Sequence, residues 1–369
     1  MCTNTPSGHR TLNKINALLS VTCCLAIWAP VSVCQTLPWD QTIARALNEY
    51  NKGQFVEAER LYVQAEKQAE TFGAQDRRLA ATLNNLADLY VQQAKYNEAA
   101  PLYRRSVQIL QHYDGQEQVR LATALSNLAG LYTRQNKSTE AEALFEQALT
   151  IRRKALRPDD PDVADSLTNL AELYREQRRL PEAEKLFQQA LEIWNKSGGS
   201  HRVNTATCLD DLGALYQAEG KYDQAESLFK RALSMRESAL GPQHIDVAQS
   251  LEDLGGLLLL KDKTINVDQL FLRALAIKEE AFGPFHPAVA LSLSDLATAY
   301  TLERRFAEAE RAFQRALTIL QTQAVVDNSA LAAVCANMAN LYQRQGKTRK
   351  AKDMDARANQ FRALQKSAS

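Results

Sequence analysis

Leu86-Ala87-Asp88-Leu89-Tyr90 decides the fold, because it returns at a constant step of 42 residues. The next copies read Leu128-Ala129-Gly130-Leu131-Tyr132, Leu170-Ala171-Glu172-Leu173-Tyr174 and Leu212-Gly213-Ala214-Leu215-Tyr216. They continue as Leu254-Gly255-Gly256-Leu257-Leu258, Leu296-Ala297-Thr298-Ala299-Tyr300 and Met338-Ala339-Asn340-Leu341-Tyr342, with no insertion or deletion. A second series follows at a fixed offset. Small residues stand at Ala99, Ala141, Ala183, Ala225, Ala309 and Ala351, and aromatics four positions later at Tyr103, Phe145, Phe187, Phe229, Phe271 and Phe313. Small residues return at Ser106, Ala148, Ala190, Ala232, Ala274, Ala316 and Ala358. A degenerate first copy runs from Trp39 to Thr71 around Gly53, Phe55, Ala58, Tyr62 and Ala65, which makes eight copies.

The spacings are helical. Leu83, Leu86, Ala87 and Tyr90 fall at i, i+3, i+4 and i+7, one stripe of a helix, and Ala99, Tyr103 and Ser106 draw the same stripe on a second one. Gln92-Gln93-Ala94-Lys95 makes a polar turn between them. Gly220 and Gly346 occupy that turn in their own copies, where a helix ends in a left-handed residue. Between copies stand breakers such as Arg157-Pro158-Asp159-Asp160-Pro161, Gly241-Pro242-Gln243-His244 and Gly283-Pro284-Phe285-His286-Pro287. Each copy is therefore two antiparallel helices. Ala87 and Ala99 let backbones approach, and Tyr90 and Tyr103 fill the wider gaps. A single pair cannot bury both its sides, so copies must stack.

This stripe resembles that of the tetratricopeptide repeat family over about residues 39–366. The family's usual period is ~34 residues. The longer period and the Gly-Pro loops look most like the repeats of kinesin light chains and their bacterial relatives. The resemblance implies an all-α, right-handed superhelical solenoid over 35–369. Its repeats are expected near 39–77, 78–119, 120–161, 162–203, 204–245, 246–287, 288–329 and 330–366. It also implies a non-catalytic scaffold that binds extended peptide segments of protein partners in a concave groove. The alternative is a structural cell-envelope component that assembles through its convex face or repeat ends. An enzyme is the distant third reading.

In the family the position before the Leu-Ala pair points into the groove. Here it reads Asn85, Asn127, Asn169, Asp211, Asp253, Asp295 and Asn337. An Asn amide can donate to and accept from an extended backbone at once, and the resemblance carries that role onto Asn85, Asn127 and Asn169. The competing reading is that the series only braces neighbouring repeats. Arg134 and Arg175 lie near the neutral half, and Asp211, Asp253 and Asp295 make the other half acidic. Asp210 and Glu252 are read as adding to that charge, so basic residues of a bound segment are expected against the fifth to seventh copies. A chaperone-binding branch of the family grips a terminal carboxylate with Lys and Arg. The matching positions, Asn84, Asp88, Asn127, Asp165 and Asn169, hold no cation, so that grip is not expected. In the sixth copy Leu258 replaces the Tyr and Val267 the Ala. Leu259 and Leu260 there are either groove contacts or, the favoured reading, a local repacking.

Composition narrows the rest. Lys and Arg (44) nearly balance Asp and Glu (43), for a net charge of +1. No global field favours nucleic acid or an acidic membrane. Runs such as Arg152–Lys154 read as solvated helix faces. The first 34 residues carry Arg10 and Lys14 but no acid, then a mainly apolar run from Ala17 to Ala29, Pro30, and small Ser32 and Cys34. That is the pattern of a signal peptide cut near Gln35, which implies an exported protein. An uncleaved anchor is the alternative, since the run is near the lower limit for spanning. A lipoprotein signal at Cys34 is disfavoured by bulky Val33. Losing the two leader cations brings the charge to −1. Cys2, Cys23, Cys24 and Cys34 lie in the leader. Cys208 and Cys335 remain, three periods plus one residue apart, beyond disulfide reach in a stacked array. No metal is expected from His9, His112, His201, His244 and His286, because no acid or Cys completes a ligand set. No catalytic motif or cofactor loop is present.

Overall fold

A computed structural model describes residues 38–263, 265–323 and 327–368. The expected leader, residues 1–34, lies outside them. The described residues form sixteen α-helices and one short 3-10 turn, with no strand. The helices are α1 (Trp39–Asn51), α2 (Phe55–Glu70), α3 (Arg77–Gln92), α4 (Tyr96–Leu110), α5 (Glu117–Arg134) and α6 (Ser138–Ala155). Then come α7 (Pro161–Glu176), α8 (Leu180–Lys196), α9 (Arg202–Ala218), α10 (Tyr222–Leu240) and α11 (Ile245–Leu260). The array ends with α12 (Val267–Phe282), α13 (Pro287–Leu302), α14 (Phe306–Gln321), α15 (Asn328–Arg344) and α16 (Thr348–Ala368).

Each odd helix packs antiparallel on the even helix after it, and each even helix packs on the next odd one. Successive odd helices from α3 to α15 also touch, while no matching series joins the even helices. The array therefore bends toward its odd helices, and these line the concave wall. The architecture is the expected α-solenoid. Its core does not break at repeat borders: one apolar cluster runs from Val267 through Phe313 to Ala358.

The within-repeat turn is built the same way each time. The amides of Lys95, Arg179, Lys221 and Arg305 reach back to the carbonyls of Tyr90, Tyr174, Tyr216 and Tyr300, all at 2.8 Å. The residue before each is left-handed. Gly220 and Gly346 fill it as expected, at φ +76° and +72°, but Ala94, Arg178 and Arg304 adopt it at φ 57°, 63° and 62°. For residues with a Cβ this costs roughly 1–2 kcal/mol each, which the closed turn and the helix packing around it outweigh. Between repeats, Asp76 and Asp160 cap α3 and α7 by accepting from the amides of Arg78 and Asp162, at 2.8 and 3.0 Å. The small position of the stripe is set just as closely. A Cβ on Gly213 would stand 2.8 Å from the Phe229 ring, and one on Gly255 2.7 Å from that of Phe271. In these two copies the ring leans onto the helix backbone, which is why Ala gives way to Gly there.

Candidate functional site

Curvature turns one face of α3, α5, α7, α9, α11, α13 and α15 into a continuous wall, and the Asn/Asp series rides on it. Asn85, Asn127, Asn169, Asp211 and Asp253 are half-buried, and Asp295 and Asn337 are exposed. A cavity of about 850 Å³ opens between α3, α5 and α7, and Asn127, Asn169 and Arg134 are among its walls. Asn85 lines a smaller one of about 160 Å³ with Tyr50, Tyr62 and Asp88. The series does not behave uniformly. Asn127 donates to Asp88 Oδ1 at 3.1 Å and Asn84 Oδ1 at 3.3 Å, across the repeat border. Asn337 likewise donates to Ser294 Oγ at 3.3 Å. The amides of Asn85 and Asn169 make no hydrogen bond among the described residues. Two members thus brace the wall and two present free amides to it.

The carboxylates are less charged than a sequence count suggests. Burial raises the Asp88 pKa to about 6, against the pull of the Tyr103 hydroxyl that donates to it. Asp211 stands close to Glu172 of the neighbouring repeat. Burial first, then the charge of Glu172, raises Asp211, and burial likewise raises Glu172, with Arg175 only partly offsetting either. Like charges brought together out of water share a proton. Burial also raises Asp165 and Asp253. Asp295 keeps contact with solvent yet is enclosed by the curved wall. That enclosure, with Glu252 nearby, lifts it to about 7. Glu172 was not singled out from the sequence. Its signal was that the other copies place Asp, Gly, Ala, Gly, Thr or Asn at this position.

Asp210 and Glu252 require a correction. They do not add free charge to the wall but turn inward. Asp210, 8% exposed, pairs with the buried Arg236, which also donates to Ser250 Oγ and Thr207 Oγ1. Glu252 takes both oxygens to Lys278 Nζ, at 2.7 and 2.8 Å, and accepts from Ser292 Oγ. Arg152 makes an uncharged version of the contact, donating to Ser166 Oγ at 2.7 Å and Thr123 Oγ1 at 3.0 Å. Arg152, Arg236 and Lys278 stand in one register with Trp194 and Leu320, so a polar cross-link and an apolar plug solve the same packing problem. The sixth copy shows the repacking expected of it. Leu258 and Leu259 lean on the apolar core and Val267 is buried, while Leu260 is 54% exposed.

A second periodic device escaped the sequence reading. Lys95, Arg179, Lys221 and Arg305 lie over the rings of Tyr90, Tyr174, Tyr216 and Tyr300, with the Arg groups at 3.7 and 4.1 Å. The same cations reach Glu59, Glu142, Glu184 and Asp268 on the preceding repeat. The strict 42-residue recurrence of Lys or Arg just after the left-handed residue was the available signal. His244 and His286 cap α11 and α13, each Nδ1 accepting a backbone amide at 3.2 Å. Cys208 and Cys335 are buried and free. Among the described residues no three His, Cys, Asp or Glu gather as a metal site, and no helix is long and apolar enough to cross a membrane.

Comparison with known proteins agrees with this geometry. Family models described as tetratricopeptide repeat match residues 41–112, 120–190, 162–238, 211–264 and 268–322, and a further one matches 247–288. No curated protein matches the chain. Among solved structures, BtubC (BKLC) from P. vanneervenii is 25% identical with a TM-score of 0.51, over 67% of this chain and 93% of that one. The nearly identical kinesin light chain TPR-like repeats of Podosopora anserina are 25% identical with a TM-score of 0.50, over 57% and 100%. A Pyrococcus horikoshii signal transduction ATPase with a tetratricopeptide repeat sensor reaches a TM-score of 0.64 at 15% identity, over 89% and 49%, a likeness of fold alone.

Proposed function

The chain belongs to the tetratricopeptide repeat family, whose repeats make protein-interaction scaffolds, and from that premise we propose that its concave wall holds an extended segment of a partner protein. The observation that carries this reading is the division of labour within the polar series. If the series served only to brace repeats, every member would be bonded as Asn127 and Asn337 are. Asn85 and Asn169 instead leave amides without a partner on walls of cavities open to solvent. An unused donor–acceptor pair is costly to hide and well suited to pair with backbone amides. Members at one-repeat intervals can hold a chain without reading its side chains.

The test replaces Asn85 and Asn169 by Ala together, since neither braces a neighbour. The immobilised variant is expected to lose the partners retained by the wild-type protein, with helicity unchanged by circular dichroism. Retention of the same partners would move the interaction to the outer helices. No motif of catalysis accompanies the wall, and the scaffold role needs none.

We also infer export from the charged, apolar and small-residue order of residues 1–34. N-terminal sequencing of the mature protein is expected to begin near Gln35. A chain that starts at Met1 and fractionates with membranes would support the anchor instead.

A further inference from the structure

The cavity of about 850 Å³ on the inner wall has a chemistry that the free amides of Asn85 and Asn169 do not explain. Asp88 on α3 and Glu172 on α7 line it from helices on either side of α5. Between them on α5 stands Ser126, 7% exposed, whose Oγ has no hydrogen-bond partner. Glu176 adds a third carboxylate, and Arg134, exposed, is the one cation among the lining residues. An apolar occupant would leave Ser126 Oγ unsatisfied and the carboxylates without a cation, and an anionic one would meet three carboxylates against one guanidinium. A group with several N–H donors and a positive charge satisfies them.

A second cavity of about 240 Å³ continues from the first, sharing Asn169 and Glu172 as a wall. It adds Asp165 and the buried Trp194, and no Lys or Arg lines it. An acid beside an indole ring is a favourable setting for a cation. The two cavities belong to neighbouring layers of the array, and helix layers pack about 10 Å apart.

We propose that these two cavities are paired sockets for two basic side chains, three residues apart, on a partner segment in the polyproline II conformation. The proposal rests on the reading that the inner wall binds extended segments. Spacing selects the conformation. A polyproline II chain rises ~3.1 Å per residue with three residues per turn, so positions i and i+3 point the same way about 9 Å apart. In a β-strand, positions i and i+3 point to opposite faces. Burial raises the pKa values of Asp88, Asp165 and Glu172, a cost that a cation seated beside them would offset. Filling the sockets favours the ionised forms, so binding releases protons.

Fluorescence anisotropy with short labelled Ala/Pro peptides tests the proposal. A peptide with two Arg three positions apart is expected to bind roughly tenfold more tightly than one with two adjacent Arg, or one with norleucine at both positions. Glu172→Gln and, separately, Asp88→Asn are each expected to weaken the first peptide by about tenfold, with helicity intact. Exposed Glu140→Gln is the control and leaves binding unchanged. Equal affinity for both Arg spacings, or no response to either wall variant, overturns the sockets. Equally tight binding of the norleucine peptide, lost in the Asn85→Ala/Asn169→Ala variant, also overturns them while upholding the wall. Failure of every peptide, together with partners retained by that double variant, overturns both readings.

Discussion

Replacing Arg236 by Leu is expected to destabilise the middle of the array by about 3–5 kcal/mol, the scale for breaking a buried ion pair from one side. Asp210 would keep its place between α9, α10 and α11 with Ser250 as its remaining donor. Asp210→Ser/Arg236→Leu is expected to recover most of the loss. That pair copies a solution already present two repeats on, where Ser294 and Leu320 occupy the same two positions. Burial already lifts Asp210 to about 7 against the pull of Arg236. The single variant should therefore suffer less at pH 5, where the carboxyl accepts a proton, than at pH 8. Arrays of repeats need not melt as one unit, so hydrogen exchange resolved over α9–α11 is the measurement of choice. A single variant as protected as the wild type at pH 8 would show that this pair is dispensable.

The second large effect concerns the acidic half of the wall. Asp211→Asn, Asp253→Asn and Asp295→Asn combined are expected to weaken a Lys-rich peptide spanning α9 to α13 by roughly 10- to 100-fold, at ~0.5–1 kcal/mol for each lost charge. The same change is expected to stabilise the protein at alkaline pH. All three carboxyls have pKa values raised in the folded chain. The folded state thus binds more protons than the unfolded one, and this stabilising contribution is complete below the unfolded value near 4. It is lost as pH climbs through the raised values, about 7 for Asp295. Asn does not titrate, so the melting temperature of the variant should overtake that of the wild type between pH 5 and pH 8. Solvent contact makes the share of Asp295 the smallest. Unchanged peptide affinity would sink the electrostatic reading of this half. A gap in melting temperature that is constant with pH would show that the carboxyls are not strained. The pattern expected is a wall that gives up stability to hold charge for a partner.

Both predictions turn on residues whose roles the linear pattern showed only in part. Asp210 and Asp211 are adjacent in sequence, yet one is cross-linked to Arg236 inside the array and the other faces Glu172 on the wall. A helix turns about 100° per residue, so neighbours in sequence face different partners. Those partners stand some 26 to 40 residues away, on the second helix of the same repeat or on a neighbouring repeat. Asn127 and Asn169 are equivalent by register, and the presence of Asp88 and Asn84 opposite one of them makes it a brace. The Tyr–cation–acid clasps were within reach of the sequence, because Lys and Arg recur there at the full period. They went unseen because charged positions near turns usually signify only solvation.

What the sequence by itself determined is the part of the structure that repeats: helix pairs, their turns, the aromatic and small positions of the core, and the address of the polar series. Those follow from local periodicity and from side-chain size, which are properties of a single copy and are written seven times over. What only the tertiary structure decided is the part that differs between copies: which polar groups are used up in bracing, which carboxyls are buried, and where the wall opens into cavities. The physical reason is that burial and electrostatics are set by the facing repeat, and the facing repeat is where one copy departs from the next.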